Sequence, residues 1–109
     1  MDSLRALVLI GSLASCSSAL AFTGHDLINW SKKFEENPRS EEGAAFGAYV
    51  AGVTDAGDGG KFCLPKDFTY QDAMNLSIKH AYAYPVMIPG LASSVIESAL
   101  SEKYPCQQQ

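Results

Sequence analysis

Residues 46–65, Phe-Gly-Ala-Tyr-Val-Ala-Gly-Val-Thr-Asp-Ala-Gly-Asp-Gly-Gly-Lys-Phe-Cys-Leu-Pro, constrain the chain more than any other stretch. Phe46, Tyr49, Val50 and Val53 recur at i, i+3, i+4 and i+7, the spacing of one apolar helix face. Gly43, Ala44, Ala45, Gly47, Ala48, Ala51 and Gly52 add small side chains around it. Each helical glycine costs about 1 kcal/mol relative to alanine, so the pattern predicts a central helix, surrounded by others that approach it closely. Gly57, Gly59 and Gly60 then end the helix, because glycine accepts the left-handed backbone that helix exits often need. Cys63 lies in the loop that follows, which is therefore expected to be tied to another part of the fold.

The first residues have the pattern of an export leader. Arg5 supplies a short basic region, and Ala6 to Leu13 is an apolar run too short to span a membrane. Ala19-Leu20-Ala21 is a small-x-small cleavage site, which predicts a leader over residues 1–21 and a domain over 22–109. The alternative is lipoprotein processing at Leu13-Ala14-Ser15-Cys16, which would leave Cys16 as a lipidated N-terminus and attach the chain to a membrane. In either case Cys63 and Cys106 are left as a pair. In an oxidising compartment the simplest expectation is one disulfide between them, the alternative being two buried thiols. A domain this small buries only about 60–65% of its unfolded surface, and a cross-link over so long a loop adds about 4 kcal/mol in the chain-entropy picture.

Taken in order, the chain reads as four helices. Thr23 and Asp26 have the spacing of a capping box and open a helix over 24–35 with Leu27, Trp30 and Phe34 inward. Asn37-Pro38-Arg39-Ser40 is a turn, and Ser40 caps the central helix over 41–56. A long loop runs from Asp55 to Asp67. Thr69 and Asp72 repeat the capping-box spacing and open a helix over 70–83, with Met74, Ile78, Ala81 and Tyr82 on its apolar face. Pro85 stops it, Pro89 suits the start of the last helix, and Leu91, Ala92, Val95, Ile96, Ala99 and Leu100 form a broad stripe ending near residue 103. No stretch alternates with the period of a strand. The expected fold is all-α: a small four-helix bundle, five helices being the alternative, stapled by one disulfide. The apolar residues Tyr82, Tyr84, Tyr104, Val86, Met87 and Ile88 are assigned first to the core, and second to a dimer or partner surface.

Few residues carry chemistry. Asp55 to Lys66 has the length of a calcium loop, but glycines stand at its third and fifth positions and a lysine where a bidentate glutamate is needed. Neither His25 nor His80 has another ligand at metal spacing, and no serine sits in a nucleophile-elbow pattern. Neither an enzyme nor a cofactor or metal protein is expected. A net charge of −4, which removal of residues 1–21 leaves unchanged, disfavours nucleic acid.

Thr-Gly-x-Asp-Leu-Ile at 23–28, Tyr-Val-Ala-Gly-Val-x-Asp at 49–55, Phe-Cys-Leu-Pro at 62–65 and Tyr-Pro-Cys at 104–106 together resemble the Rap/Tai immunity proteins of bacterial type VI secretion systems. The resemblance covers nearly all of the chain after the leader. It implies a small, helical, periplasmic protein, often a homodimer, that neutralises a peptidoglycan-cleaving amidase effector by covering its active site. The family often carries two further cysteines, where this chain has Ser31 and Phe46. Under this reading the effector contacts are expected on the 55–66 loop, at Asp55, Gly57, Asp58, Gly59, Gly60 and Lys61, with Cys63 anchoring it. The alternative is a periplasmic binding or acid-chaperone-like helical module with no toxin partner.

Overall fold

The computed structural model describes residues 21–107. Residues 1–20 of the expected leader, Cys16 among them, lie outside these. Among the described residues four α-helices follow one another: α1 Gly24–Glu36, α2 Glu41–Gly57, α3 Tyr70–Ala83 and α4 Ala92–Lys103, with a 3-10 turn at Pro85–Met87 before α4. Among the described residues there are no strands. Isolated bridges pair Thr23 with Leu91 and Asp58 with Phe62.

Local chemistry sets three of the helix starts. The Thr23 hydroxyl accepts from the Asp26 N–H at 3.4 Å, and the Asp26 carboxylate accepts from the Thr23 N–H at 2.9 Å. Thr69 and Asp72 close the same box at 3.2 and 3.1 Å. The Ser40 hydroxyl accepts from the Gly43 N–H at 3.1 Å. Such caps satisfy N–H groups that the first turn leaves unpaired, at about 0.5–2 kcal/mol each. The fourth start differs from expectation. Pro89 does not open α4; it sits in the preceding turn, where the Gly90 N–H donates to Met87 O at 3.0 Å. The strand-like pairing of Thr23 with Leu91 explains this. Gly24 N donates to Gly90 O and Ala92 N to Phe22 O, which holds residues 90–91 extended until the helix begins at Ala92.

α2 packs against all three other helices, but its buried face is rotated from the expected one. Gly43, Phe46, Val50, Thr54 and Gly57 are buried, while Tyr49 and Val53 lie half-buried at the margin. Thr54 is tolerated inside because its hydroxyl donates to Val50 O at 2.7 Å; Ser31 and Ser77 solve the same problem on α1 and α3 by bonding to Ile28 O and Ala73 O. Nor is the helix surrounded. Ala44, Ala48, Gly52 and Ala56 are exposed, and a side chain added at Gly47 or Gly52 would meet nothing within 4 Å. The tight approaches on this helix occur at its ends, at Gly43, where a Cβ would lie 2.7 Å from Asn37 O, and at Gly57, where it would lie 2.5 Å from the Phe62 ring.

On α3, Ala73, Met74, Ser77 and Ala81 face inward. The expected core position of Tyr82 is incorrect: it is 57% exposed, as are Tyr84 at 46% and Val86 at 87%. Apart from Met74, the inward face of α3 is made of small residues, and the other bulky side chains fall on the rim; Met87, Ile88 and Tyr104 alone of the apolar group around the end of α3 pack partly against the core. The core itself joins Leu27, Phe46, Val50, Val95, Ile96 and Leu100 to Phe62, which belongs to no helix.

Two glycines of α2 should therefore respond oppositely to alanine. Gly57→Ala forces a methyl into Phe62 and is expected to destabilise by about 1–3 kcal/mol, whereas Gly52→Ala is expected to stabilise by up to about 1 kcal/mol. Urea denaturation of the two variants measures both.

Candidate functional site

The candidate site is built where α2 ends. The Asp58 N–H closes the helix on Thr54 O at 3.1 Å. Gly59 then takes φ +85°, a backbone conformation that side chains with a Cβ rarely adopt. This reversal lets Gly60 N and Lys61 N both donate to Gly57 O, at 3.1 and 2.9 Å, and Gly59 N donate to Phe62 O at 2.7 Å. The chain has turned on itself, and Phe62 drops into the core with no exposure.

The next residues are tied to α4. Cys63 is bonded to Cys106 with their Cα atoms 4.8 Å apart, and its N–H donates to Tyr104 O at 2.9 Å. Lys61 O accepts from the Ser101 hydroxyl at 3.0 Å, and the Lys61 ammonium pairs with Glu97 at 2.9 Å. That ion pair is exposed enough to be worth about 0–1 kcal/mol at most; the buried ring, the disulfide and the backbone bond hold the loop.

On the other side of the turn lies a cleft of about 370 Å³ between the end of α2, the 64–68 segment and Tyr70. Asp55 Oδ1 accepts from the Tyr70 hydroxyl at 2.6 Å, and Asp58 Oδ1 accepts from the Leu64 N–H at 3.0 Å. Phe68 and Lys66 complete the walls. The hydrogen bond to Asp55, and then the negative charge behind it, raise the Tyr70 phenol above its ordinary value of 10.0.

The six residues expected to meet a partner are thus divided. Asp55 and Asp58 line the cleft, Gly59 and Gly60 are exposed at the tip, and Lys61 is turned away toward α4. Gly57 is buried under Phe62 and supports the tip from inside. Sequence reading overlooked Phe62 and Tyr70. An aromatic beside a cysteine anchor was a signal for the first; nothing local points to the second. Of the two histidines, His25 is exposed on α1. His80 lies against the Tyr84 ring, its Nδ1 3.6 Å from Glu102.

The family model for Rap1a immunity proteins matches residues 13–106. The chain belongs to the Rap1a immunity protein family. No match was found among curated proteins or among solved structures. Membership of the Rap1a family implies that this chain binds a partner protein, the effector that an immunity protein meets. Ser31 and Phe46, which stand where the resemblance places two further cysteines, line one cleft between α1, α2 and α3. There the Phe46 ring packs edge-to-face on Phe34, their centroids 5.7 Å apart.

Removing the disulfide with a Cys63→Ser, Cys106→Ser pair is expected to lower stability by up to about 4 kcal/mol while leaving the far-ultraviolet circular dichroism of the folded protein unchanged. The raised Tyr70 value has a definite sign: the fold favours the protonated phenol, so that contribution is complete at neutral pH and is lost as pH rises through and beyond 10. Denaturation midpoints measured from pH 8 upward should fall less steeply in Tyr70→Phe than in the wild type.

Proposed function

We propose that this chain is a type VI secretion immunity protein that acts in the periplasm by covering the active site of a peptidoglycan amidase effector. The observation that carries the reading is the state of the α2 exit. The Asp58–Cys63 turn projects two exposed glycines, yet it is held by a buried ring, a disulfide and six backbone bonds. A segment already fixed in one conformation loses little further entropy on binding, which is what tight occlusion of a cleft requires. A disulfide also suits an oxidising compartment. The exposed Tyr82, Tyr84 and Val86 offer a surface on which two copies would meet as a homodimer.

The test uses the purified domain and the amidases encoded beside its gene. Stoichiometric capture and loss of peptidoglycan cleavage are expected. Gly60→Trp adds bulk at the tip, where the nearest atom to a new Cβ is 3.8 Å away; it should keep the wild-type melting temperature while weakening inhibition at least about tenfold. A wild-type domain that neither binds nor inhibits any such amidase would sink the proposal.

A further inference from the structure

His80 has a setting that packing alone does not explain. It lies in the last turn of α3, where a positive charge suits the negative end of the helix dipole. Its side chain is nonetheless only 10% exposed. An imidazole carries at least one N–H donor in any protonation state. Among the described residues the ring makes no hydrogen bond: Nδ1 stands 3.6 Å from the Glu102 carboxylate, past the reach of one. The Tyr84 ring packs against it with its centroid 4.6 Å away, tilted by 45°. Polar side chains buried to this degree are ordinarily hydrogen-bonded, because burial without a partner loses the bonds that water would give.

The imidazole lines a pocket of about 270 Å³ between α3 and α4. Leu76, Ala83 and Ala99 give this pocket an apolar lining, and Lys79 and Lys103 border it together with Glu102. Both lysines are exposed. Among the described residues neither has a carboxylate within 4 Å, whereas Lys33 and Lys61 each have one. Two ammonium groups against one carboxylate leave the pocket positive, in a chain whose net charge is −4. That charge selects an anion. A bare inorganic anion would leave the apolar lining unused. A carboxylate on a short carbon stem uses every part: its oxygens accept from the imidazole N–H and the ammonium groups, and its stem lies on the alanines and Leu76. Glu102 cannot fill this place itself, since its side chain is 63% exposed and its oxygen stops 3.6 Å short of the ring.

We infer that the pocket formed by His80, Lys79 and Lys103 between α3 and α4 binds a carboxylate carried on a short apolar stem. Two sources share that chemistry: a free small acid, and a glutamate side chain of the protein that this chain binds. The second source rests on the immunity reading; the pocket itself does not.

The first arm of the experiment tests the pocket. Backbone and imidazole NMR signals of the purified protein are followed during titration with N-acetyl-glutamate methylamide. N-acetyl-glutamine methylamide, of nearly the same shape and without charge, is the control. Saturable shifts of the His80 ring and the Lys103 amide are expected for the acid alone. They should weaken at least about tenfold in Lys79→Gln, Lys103→Gln, which changes only exposed side chains. They should weaken likewise at Lys103 in His80→Phe, which keeps a ring against Tyr84 and removes the N–H. No saturable shift at tens of millimolar, an equal response to the glutamine probe, or full binding by the lysine variant would overturn the inference, whatever the effector is. The second arm assigns the source, from the affinity for the cognate amidase. A loss of at least about tenfold in the lysine variant, with competition by the acid probe, identifies a glutamate of the partner. Unchanged affinity identifies a free acid and leaves the immunity reading standing. A protein that takes the acid probe and meets no amidase would uphold the pocket and remove that reading instead.

Discussion

The seating of Phe62 on Gly57 is the contact on which the rest of the molecule depends. Phe62 is the largest fully buried side chain, and it comes from a connection between helices. Burying such a ring is worth about 1.5–3 kcal/mol, but only if the helix beneath offers no side chain at the point of contact. Gly57 meets that condition. Its carbonyl also receives Gly60 N and Lys61 N, so one residue provides both the floor for the ring and the acceptor for the turn. With the ring placed, Cys63 is brought beside Tyr104 and Cys106, and the end of α4 becomes the second support of the loop. The disulfide acts mainly by restricting the unfolded chain; the direction in which the loop leaves α2 is set by the ring and the glycines.

What was legible in the sequence was local. A capping box needs two residues three apart, so Thr23 with Asp26, and Thr69 with Asp72, announce their helices without reference to the rest of the fold. The rotation of α2 and α3 was not legible for the opposite reason. Hydrophobic periodicity selects the largest apolar residues, Tyr49 and Val53 on α2, Ile78 and Tyr82 on α3. The fold turns inward the faces with small residues and hydroxyls that bond to their own helix, Thr54 and Gly57 on one, Ala73 and Ser77 on the other. Close packing over small side chains leaves the bulky neighbours at the margin, and period alone does not reveal which of two adjacent faces will be chosen.

The candidate site was readable to a similar depth. Glycines, aspartates and an anchored cysteine within one short stretch located it. What each side chain does depends on partners far along the chain: Asp55 meets Tyr70 fifteen residues on, Lys61 meets Glu97, and Ser101 reaches back to Lys61 O. These pairings assign Lys61 to the scaffold and leave Asp58 at the surface, a division that residue type cannot supply. The mistaken expectation of a crowded α2 has the same origin, since glycine in a helix signals close approach at Gly43 and Gly57 and nothing at all at Gly47 and Gly52.

The two sides of the α2 exit answer to different demands. Toward α4 every feature holds the loop: buried ring, cross-link, backbone bond. Toward the cleft, local preference is set aside. Two carboxylates stand where a helix end favours a cation, and their bonds to Tyr70 and Leu64 are exposed, so they contribute little to stability while the like charges oppose it. The turn is thus held from one side only. The rigid side fixes the glycine tip and the two aspartates in one arrangement relative to α4, so the exposed end of α2 needs no further ordering of its backbone.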